Sequence, residues 1–338
     1  MYRMKDREDE IMVSVLMFVY NHEKYLRKAL ESVIRQETDF RYEIIVHDDA
    51  STDGSAEIIK AYARKYPDLF VPILQEENQM QQGISIVDEY LMPRVKGKYI
   101  AHCEGDDFWT KREKLQVQVE FLEEHEEYAG IAHNCQVVDE RGRQRKPVEK
   151  FWPFKNPYIY TLKDLILEER MPGQTASVLY RRKYQTQMGD AQKDAYRKIR
   201  CCVGDRRRTL LILLNGPVYC MNRTMSAYRY VPDHGQSWNA RVRGKNLAGR
   251  YFIQEKDFRC FARTYYKVRL SNDYVLFGTG IMALLRFLIN PVESNQKELK
   301  LILNEYKSPL HFGIFMIRCF PKALQTLIAR TIRKVKGI

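Results

Sequence analysis

The sequence lacks the signals that mark a secreted or membrane-spanning protein. Its 338 residues include seven cysteines, an odd number with no C-x-x-C pair, so neither a zinc site nor a complete disulfide framework is indicated. Residues 1–6 lack the apolar stretch that a secretory signal requires. The longest apolar run, residues 275–285, is too short to cross a hydrocarbon core of about 30 Å. These absences predict a cytoplasmic protein.

Motifs for nucleotide hydrolysis and zinc proteolysis are also missing. Neither a G-x-x-x-x-G-K-S/T loop nor an H-E-x-x-H sequence occurs. Residues 278–283 fit the dinucleotide-binding pattern G-x-G-x-x-A. No β-α-β unit surrounds them, however, and no acidic strand end follows about 20 residues later, as that fingerprint requires. A packed helix is therefore expected at this position.

Charge divides the chain into two unlike parts. Hydrophobic residues make up 45% and charged residues 29%, as in an ordinary globular enzyme. The net charge of +13 combines −8 in residues 1–150 with +21 in residues 151–338. A basic C-terminal half attracts polyanions, so nucleic acid, anionic lipid headgroups and acidic glycans are all compatible with it, as are solvated lysines.

Strand-like and helix-like segments alternate along the first half of the chain. Apolar, β-rich runs at residues 11–19, 42–47, 70–74, 98–103 and 128–135 predict strands, and helical periodicity follows the first four near residues 22, 56, 84 and 111. This alternation predicts an α/β fold with a mostly parallel central sheet flanked by helices. Ligands bind beyond the carboxyl ends of such strands.

The first acidic pair follows the second predicted strand. Asp48 and Asp49 are adjacent charges at a strand end, which is unfavourable unless they are solvated, paired or used. We expect them to contact a ligand, for example the N–H of a uracil-like base or the hydroxyls of a ribose. Asp53 or Ser51, further along this loop, can instead cap the next helix.

A second acidic cluster follows the fourth predicted strand. Glu104, Asp106 and Asp107 lie within four residues, and Gly105 allows close approach of the backbone. Clustered carboxylates suit Mg²⁺ or Mn²⁺, which take one or two of them and complete their coordination with water and substrate phosphates. The cluster predicts a diphosphate site, and an acidic turn that caps the following helix is the alternative.

These segments together resemble a known enzyme family. VSVLMFVYNHEKYLRKALESVIRQ, YEIIVHDDASTDGS and GKYIAHCEGDDFW, in this order and spacing, resemble the inverting glycosyltransferases of family 2 over residues 11–138. The resemblance implies the Rossmann-like GT-A fold and transfer of a sugar, with inversion, from a nucleotide-diphosphate donor, first of all a UDP-sugar. A hydroxyl of a glycan or lipid-linked glycan in cell-surface polysaccharide synthesis, such as that of a capsule, would accept the sugar.

The resemblance also implies residue roles. The metal-binding D-x-D element of the family reads Glu104-Gly105-Asp106 here, so Asp106 and Glu104 are the expected ligands of Mn²⁺ or Mg²⁺. Glu104 departs from the family pattern and can contact ribose or water instead, and Asp107 would face the acceptor or support the ligands. The expected nucleotide-sugar-binding residues are Phe18, Tyr20, Asn21, Glu23, Asp48, Asp49, Glu104, Gly105, Asp106, His234 and Trp238.

The general base implied by the resemblance is Asp205. Gly204-Asp205 precedes the helical segment RRRTLLILLNG, where the family has an acidic residue near the reacting centre. A simple helix cap is the alternative, and residues 206–208 are arginines that can steer a phosphate. The stretch 228–238, with His234 and Trp238, resembles the family's loop that closes over donor and acceptor, although a surface turn explains it equally.

The predicted domain organisation follows from these assignments. Residues 1–240 form the glycosyltransferase domain, with a donor part at 11–138 and an acceptor and catalytic part at 151–240. Residues 241–338 form a mainly helical, basic extension, and its last 29 residues read as basic amphipathic helices that either lie at an anionic membrane surface or pack on the domain.

Two other functions are alternatives to this assignment. A sugar-phosphate nucleotidyltransferase commonly has a glycine-rich, basic loop near its first strand, and residues 19–24 contain no glycine. A non-catalytic polyanion-binding protein would use the basic half, but no recognised nucleic-acid-binding motif occurs, so no specific nucleic acid is expected.

Overall fold

The computed structural model describes residues 10–146, 154–167, 171–200, 204–231 and 244–336. In this part of the chain nine strands form one sheet. They are β1 (Ile11–Val19), β2 (Arg41–Asp48), β3 (Phe70–Leu74), β4 (Tyr99–His102), β5 (Phe108–Trp109), β6 (Gly130–Val138), β7 (Tyr158–Tyr160), β8 (Leu179–Arg181) and β9 (Val218–Arg229).

The α-helices lie between these strands and beyond the last of them. Their bounds are α1 (Glu23–Ile34), α2 (Ser55–Lys65), α3 (Lys114–Glu124), α4 (Leu162–Leu167), α5 (Lys183–Thr186), α6 (Asp190–Arg197), α7 (Gly204–Leu213), α8 (Ala248–Tyr266), α9 (Asp273–Ile289), α10 (Glu293–Leu303) and α11 (Pro309–Lys336). The helix expected near residue 84 is a short π-helical turn, Val87–Leu91, and a 3₁₀ turn, Met92–Arg94.

The sheet is parallel in one half and mixed in the other. Its order is β3-β2-β1-β4-β8-β6-β9-β5, with β7 paired to β9. Neighbouring strands from β3 to β4 are parallel, β8 is antiparallel to β4 and β6, and β6 is parallel to β9. The predicted α/β fold is confirmed, and the parallel half brings the carboxyl ends of β1, β2 and β4 to one edge.

Burial explains why β1 reads as a continuous apolar run. Val13, Val15, Leu16 and Met17 are fully buried although they point alternately to the two faces of the sheet. A parallel strand covered on both faces needs apolar side chains on both. On one of these faces α1 packs Leu26, Ala29, Leu30 and Val33, whose spacing of three and four residues forms a single helical stripe.

Contacts divide the chain into two compact units. The first comprises residues 1–161, 170–188 and 215–233, and the second comprises residues 162–169, 189–214 and 234–338. This division does not follow the boundary predicted at residue 240, because the segment 189–214, which contains Asp205, groups with the C-terminal helices. The strand β9 was not predicted at all.

The second unit is helical and has its own core. Helices α8, α9, α10 and α11 bury Phe252, Leu276, Ala283, Ile302 and Met316 in one cluster. Residues 278–283 lie inside α9, as the sequence predicted. None of the helices in the described part of the chain is long and apolar enough to cross a membrane.

A lysine is buried beneath the sheet in the first unit. The side chain of Lys114 is fully buried, its Nζ donates to Gln118 Oε1 at 2.7 Å, and it lies 4.0 Å from the centre of the Trp109 ring. Burial lowers the pKa of Lys114 to about 7. Between that pH and the ordinary lysine pKa, the unfolded chain therefore holds a proton that the folded chain has released.

This burial predicts a pH-dependent effect of Lys114→Met. Because the unfolded state binds more protons than the folded state above pH 7, Lys114 makes the free energy of unfolding rise with pH. We expect the difference in the free energy of unfolding, wild type minus variant, to depend on pH. This difference should rise by about 1.4 kcal/mol per pH unit between about pH 7.5 and 9.5. Urea titrations at several pH values measure this difference. The exposed Lys111→Met is the control, and parallel pH curves for wild type and Lys114→Met would contradict the prediction.

Candidate active site

The loop after β2 is held against the residues that follow β1. Asn21 has a positive φ of 57°, which turns the chain from β1 into α1, and its Oδ1 accepts a hydrogen bond from Thr52 N at 2.7 Å. In return, Ser51 Oγ accepts from Asn21 N at 2.9 Å. Two of the predicted donor-binding strand ends are therefore joined by direct hydrogen bonds.

Asp53 and Glu23 complete this connection. Asp53 Oδ2 accepts from the first backbone N–H of α1, that of Glu23, at 3.0 Å, and its Oδ1 accepts from Ser55 N, at the start of α2, also at 3.0 Å. Glu23 Oε2 accepts from Gly54 N at 2.9 Å. Asp53 thus satisfies N–H groups at the starts of two helices, a wider role than the capping of one helix that the sequence suggested.

Asp48 and Asp49 are both buried at the end of β2. Asp48 accepts from Ser51 through both its carboxylate oxygens, at 2.5 Å from Oγ and 3.0 Å from the backbone N, and burial raises its pKa. Asp49 accepts from the backbone N–H groups of Gln79, at 2.7 Å, and Met80, at 3.2 Å. The two carboxylates that we expected to meet a ligand also shape the loops around them.

The acidic loop, residues 103–107, lies directly over the end of β1. The backbone N–H of Gly105 donates to Phe18 O at 2.9 Å. A Cβ at position 105 would lie 2.7 Å from His22 Nδ1 and 3.1 Å from both Phe18 O and Val19 Cγ2. Glycine is therefore required here by close approach, as the sequence predicted, and this contact brings Phe18 and Gly105 together.

The three acids of this loop can present oxygen atoms to one cation. Glu104, Asp106 and Asp107 each offer a carboxylate oxygen, and these atoms lie within 4.8 Å of one another. Glu104 and Asp106 are partly exposed, whereas Asp107 is buried. A cluster of oxygen donors at the edge of a sheet fits a hard divalent cation such as Mg²⁺ or Mn²⁺.

Asp107 differs from the other two acids because both its carboxylate oxygens accept hydrogen bonds within the protein. Its Oδ2 accepts from Gln174 Nε2 at 2.7 Å, and its Oδ1 accepts from the backbone N–H of Arg229 at 2.8 Å. Burial first, and then the negative charges of Asp106 and Glu104, raise its pKa well above the ordinary value. Asp107 therefore anchors the acidic loop to Gln174 and to β9, while Asp106 and Glu104 are partly exposed.

Arg229 holds the same loop with its side chain. Its Nε donates to the carbonyl of Asp106 at 2.9 Å, and one terminal nitrogen donates to the carbonyls of Asp139 and Glu140 at 2.9 and 2.6 Å. Its guanidinium carbon lies 4.2 Å from the centre of the Tyr25 ring. The sequence analysis assigned Arg229 only to a predicted loop, residues 228–238. Its position at the end of β9 gives it this role, and Gln174 was missed altogether.

Asp205 lies in the first turn of α7, in the second unit. Its Oδ1 accepts from Arg208 at 2.8 Å, and its side chain is 38% exposed. The neighbouring Arg206 forms a salt bridge of 2.9 Å with the buried Glu255, and Arg207 donates to the carbonyls of Tyr196 and Arg197. The three arginines, which the sequence offered for phosphate steering, bind protein groups here.

The structure describes only some of the remaining predicted site residues. Tyr20, directly after β1, is partly exposed, in accord with a place near a ligand. His234 and Trp238 lie outside the described residues, so their assignment stays a prediction.

Comparison with known proteins identifies the family of the chain. The family model described as glycosyl transferase family 2 matches residues 14–186, just over half of the chain. An uncharacterized protein of Mycobacterium tuberculosis is 33% identical over 64% of this chain and 58% of its own length. TuaG of Bacillus subtilis, described as a teichuronic acid biosynthesis glycosyltransferase, is 33% identical over 33% of this chain and 42% of its own.

A solved structure shares the fold. The first 349 residues of S. aureus TarS, crystallised with UDP-GlcNAc, superpose with a TM-score of 0.63 at 16% identity, covering 97% of this chain and 92% of that chain. The predicted GT-A fold is thereby confirmed. The chain spans 58% of the length of the mycobacterial relative that it matches.

The close approach at position 105 predicts the effect of Gly105→Ala. The added methyl group would displace His22 or the backbone of Phe18, so we expect the free energy of unfolding to fall by about 1–3 kcal/mol, as for an overpacked core. Gly278→Ala is the control, because nothing lies within 4 Å of its Cβ position, and alanine in α9 should raise stability by up to about 1 kcal/mol. Urea unfolding measures both variants. Equal stability of Gly105→Ala and wild type would show that the loop tolerates a side chain there.

Proposed function

The chain belongs to glycosyl transferase family 2, and from this premise we propose that it transfers a sugar from a nucleotide-diphosphate donor, a UDP-sugar, to a hydroxyl group with inversion. The observation that carries this proposal is the arrangement of the acidic loop. Asp106 and Glu104 are partly exposed in the loop after β4, at the carboxyl ends of the parallel strands, where ligands bind in such sheets. Asp107, the third acid, holds the loop in this orientation.

The metal assignment follows from the oxygen donors of this loop. We assign Asp106 as the principal ligand of Mn²⁺ or Mg²⁺ and Glu104 as the second, because both are partly exposed while Asp107 bonds inward. A bound divalent cation would neutralise charge on the diphosphate as it leaves. The carboxylates of Asp106 and Glu104 would therefore position the diphosphate, and the nucleoside and the sugar would bind on either side of it.

The nucleoside would occupy the joined strand ends beside the acidic loop. Phe18 lies near the carboxyl end of β1, and Tyr20 and Asn21 follow that strand. Asp48 and Asp49 lie at the neighbouring end of β2. A carboxylate oxygen accepts more than one hydrogen bond, so either aspartate can bind a base N–H or a ribose hydroxyl in addition to its loop contacts. The structure of TarS with UDP-GlcNAc supports UDP as the nucleotide.

Asp205 is the proposed general base. Its carboxylate would take the proton of the acceptor hydroxyl while that oxygen bonds to the anomeric carbon, and the bond from this carbon to the diphosphate breaks. Attack opposite the leaving group inverts the anomeric configuration. The partial exposure of Asp205 in the first turn of α7 is compatible with access of an acceptor.

The acceptor is proposed from the relatives. TuaG is described with teichuronic acid biosynthesis, which supports a cell-surface glycan, free or lipid-linked, as the acceptor. His234 and Trp238 stay assigned to the closing loop on the resemblance alone.

The proposal predicts distinct losses for two variants. Nucleotide release from UDP-, GDP- and dTDP-sugars would be measured with and without Mn²⁺, with a lipid extract as acceptor. Asp205→Asn should lower acceptor-dependent turnover by roughly 10²–10⁴-fold and leave donor binding intact, because only proton transfer is removed. Asp106→Asn should weaken donor binding and raise the Mn²⁺ concentration needed for turnover, because a metal ligand is removed.

Two exposed aspartates provide matched controls. Asp68 lies in the first unit and Asp194 in α6 of the second, and both are exposed. Their replacement by asparagine should leave turnover and Mn²⁺ dependence at wild-type values. Turnover of Asp106→Asn and Asp205→Asn equal to that of these controls would refute the site assignment.

A further inference from the structure

An exposed apolar stripe runs along α11. Its members are 39–74% exposed and recur every three or four residues, so they share one side of the helix. They are Leu310, Ile314, Ile317, Phe320, Leu324, Leu327 and Ile328. The buried side of the same helix is formed by Phe312, Met316, Cys319 and Ala323. At about 100° per residue, the apolar stripe borders this buried face on the side of Phe320 and Leu327.

A polar sector lies next to the apolar stripe. At about 100° per residue, His311, Arg318, Lys322 and Gln325 occupy the part of the helix circumference between the stripe and the buried face. All four side chains are exposed. The helix thus presents an apolar surface with a basic border, instead of scattered apolar side chains.

Helix α9 adds apolar side chains near one end of this stripe. The rings of Phe277 and Phe320 are 5.5 Å apart, and Gly280 lies against Met316, so the two helices run antiparallel. This register brings the C-terminal end of α9 to the level of the start of α11. Leu288 and Ile289, 64% and 81% exposed, lie at that end. Exposed apolar groups of this number on one helical unit mark an interaction surface.

The charge of this segment of the sequence favours one kind of partner. Residues 306–338 contain seven Lys or Arg and no Asp or Glu. A second copy of the chain would bring like charges together across the stripe, which disfavours self-association. The surface of an anionic lipid bilayer instead offers negative headgroups for the basic border and acyl chains for the apolar side chains.

We propose that α11 lies in the plane of an anionic membrane surface, with its apolar stripe inserted among the lipids and Arg318 and Lys322 at the headgroups. None of the described helices can span a bilayer, so this would be contact from one side. The inference rests on the proposed function in one respect, since a lipid-linked acceptor would be met at this surface.

Co-sedimentation with lipid vesicles tests the proposal. The full chain should bind vesicles of phosphatidylcholine with phosphatidylglycerol and should bind pure phosphatidylcholine much less. Ile317→Gln with Leu324→Gln should weaken binding about tenfold or more, because apolar insertion is lost. Arg318→Gln with Lys322→Gln should also weaken binding about tenfold or more, by a factor that shrinks as salt is raised. The control, Gln325→Asn with Gln296→Asn, changes exposed polar side chains outside the stripe and should bind as wild type.

Three outcomes would overturn the proposal. The first is no binding to anionic vesicles, and the second is binding that salt abolishes but Ile317→Gln with Leu324→Gln leaves unchanged, which indicates a general polyanion site. The third is a concentration-dependent dimer that the same pair of substitutions disrupts.

Donor hydrolysis in the absence of vesicles separates this proposal from the function. Wild-type hydrolysis by Ile317→Gln with Leu324→Gln would show an intact fold and donor site, so that lost vesicle binding is assigned to the stripe. A chain that binds vesicles but turns over no sugar nucleotide supports the membrane surface and contradicts the proposed function.

Discussion

The buried carboxylate of Asp107 is the contact on which the candidate active site depends. It accepts one hydrogen bond from Gln174 and one from the backbone of Arg229, and the Arg229 side chain binds the carbonyl of Asp106. Gly105 closes the other side of the loop against Phe18. Contacts within the protein hold the acidic loop at both sides, and its other two acids, Asp106 and Glu104, are partly exposed. Asp107 thus helps to fix the backbone that carries Asp106 and Glu104.

Much of the parallel half could be predicted from the sequence, because its signals are local. A strand covered on both faces is largely apolar, as β1 is, whereas the edge strand β3 exposes Pro72. Both strands have the predicted bounds. Polar residues directly after such runs must lie at the carboxyl edge, so Asn21, Asp48 and the acidic loop were placed together correctly. Close backbone approach at Gly105 was also expected, although the atoms that make it necessary belong to Phe18, Val19 and His22, which are distant in the sequence.

Other parts depend on contacts between distant segments and could not be predicted. The strand β9 pairs with β6, β5 and β7, which lie about 60 to 120 residues earlier in the chain, and its own sequence alternates poorly. Without that strand, Arg229 looked like a loop residue and Gln174 had no visible partner. The grouping of Asp205 with the C-terminal helices has the same origin, since the salt bridge between Arg206 and Glu255 spans 49 residues.

The reciprocal hydrogen bonds between the turn after β1 and the loop after β2 have a further consequence. Asn21, Glu23 and Asp53 join these segments through hydrogen bonds within the protein. A molecule that binds between them therefore meets segments whose conformational entropy was already lost when the chain folded. Less of the binding free energy is then spent on ordering the protein, so recognition at this edge should follow the shape and polarity of the incoming group closely. Replacement of Asp53, which is not among the proposed ligand contacts, would loosen these bonds and weaken binding without removing a contact to the ligand itself.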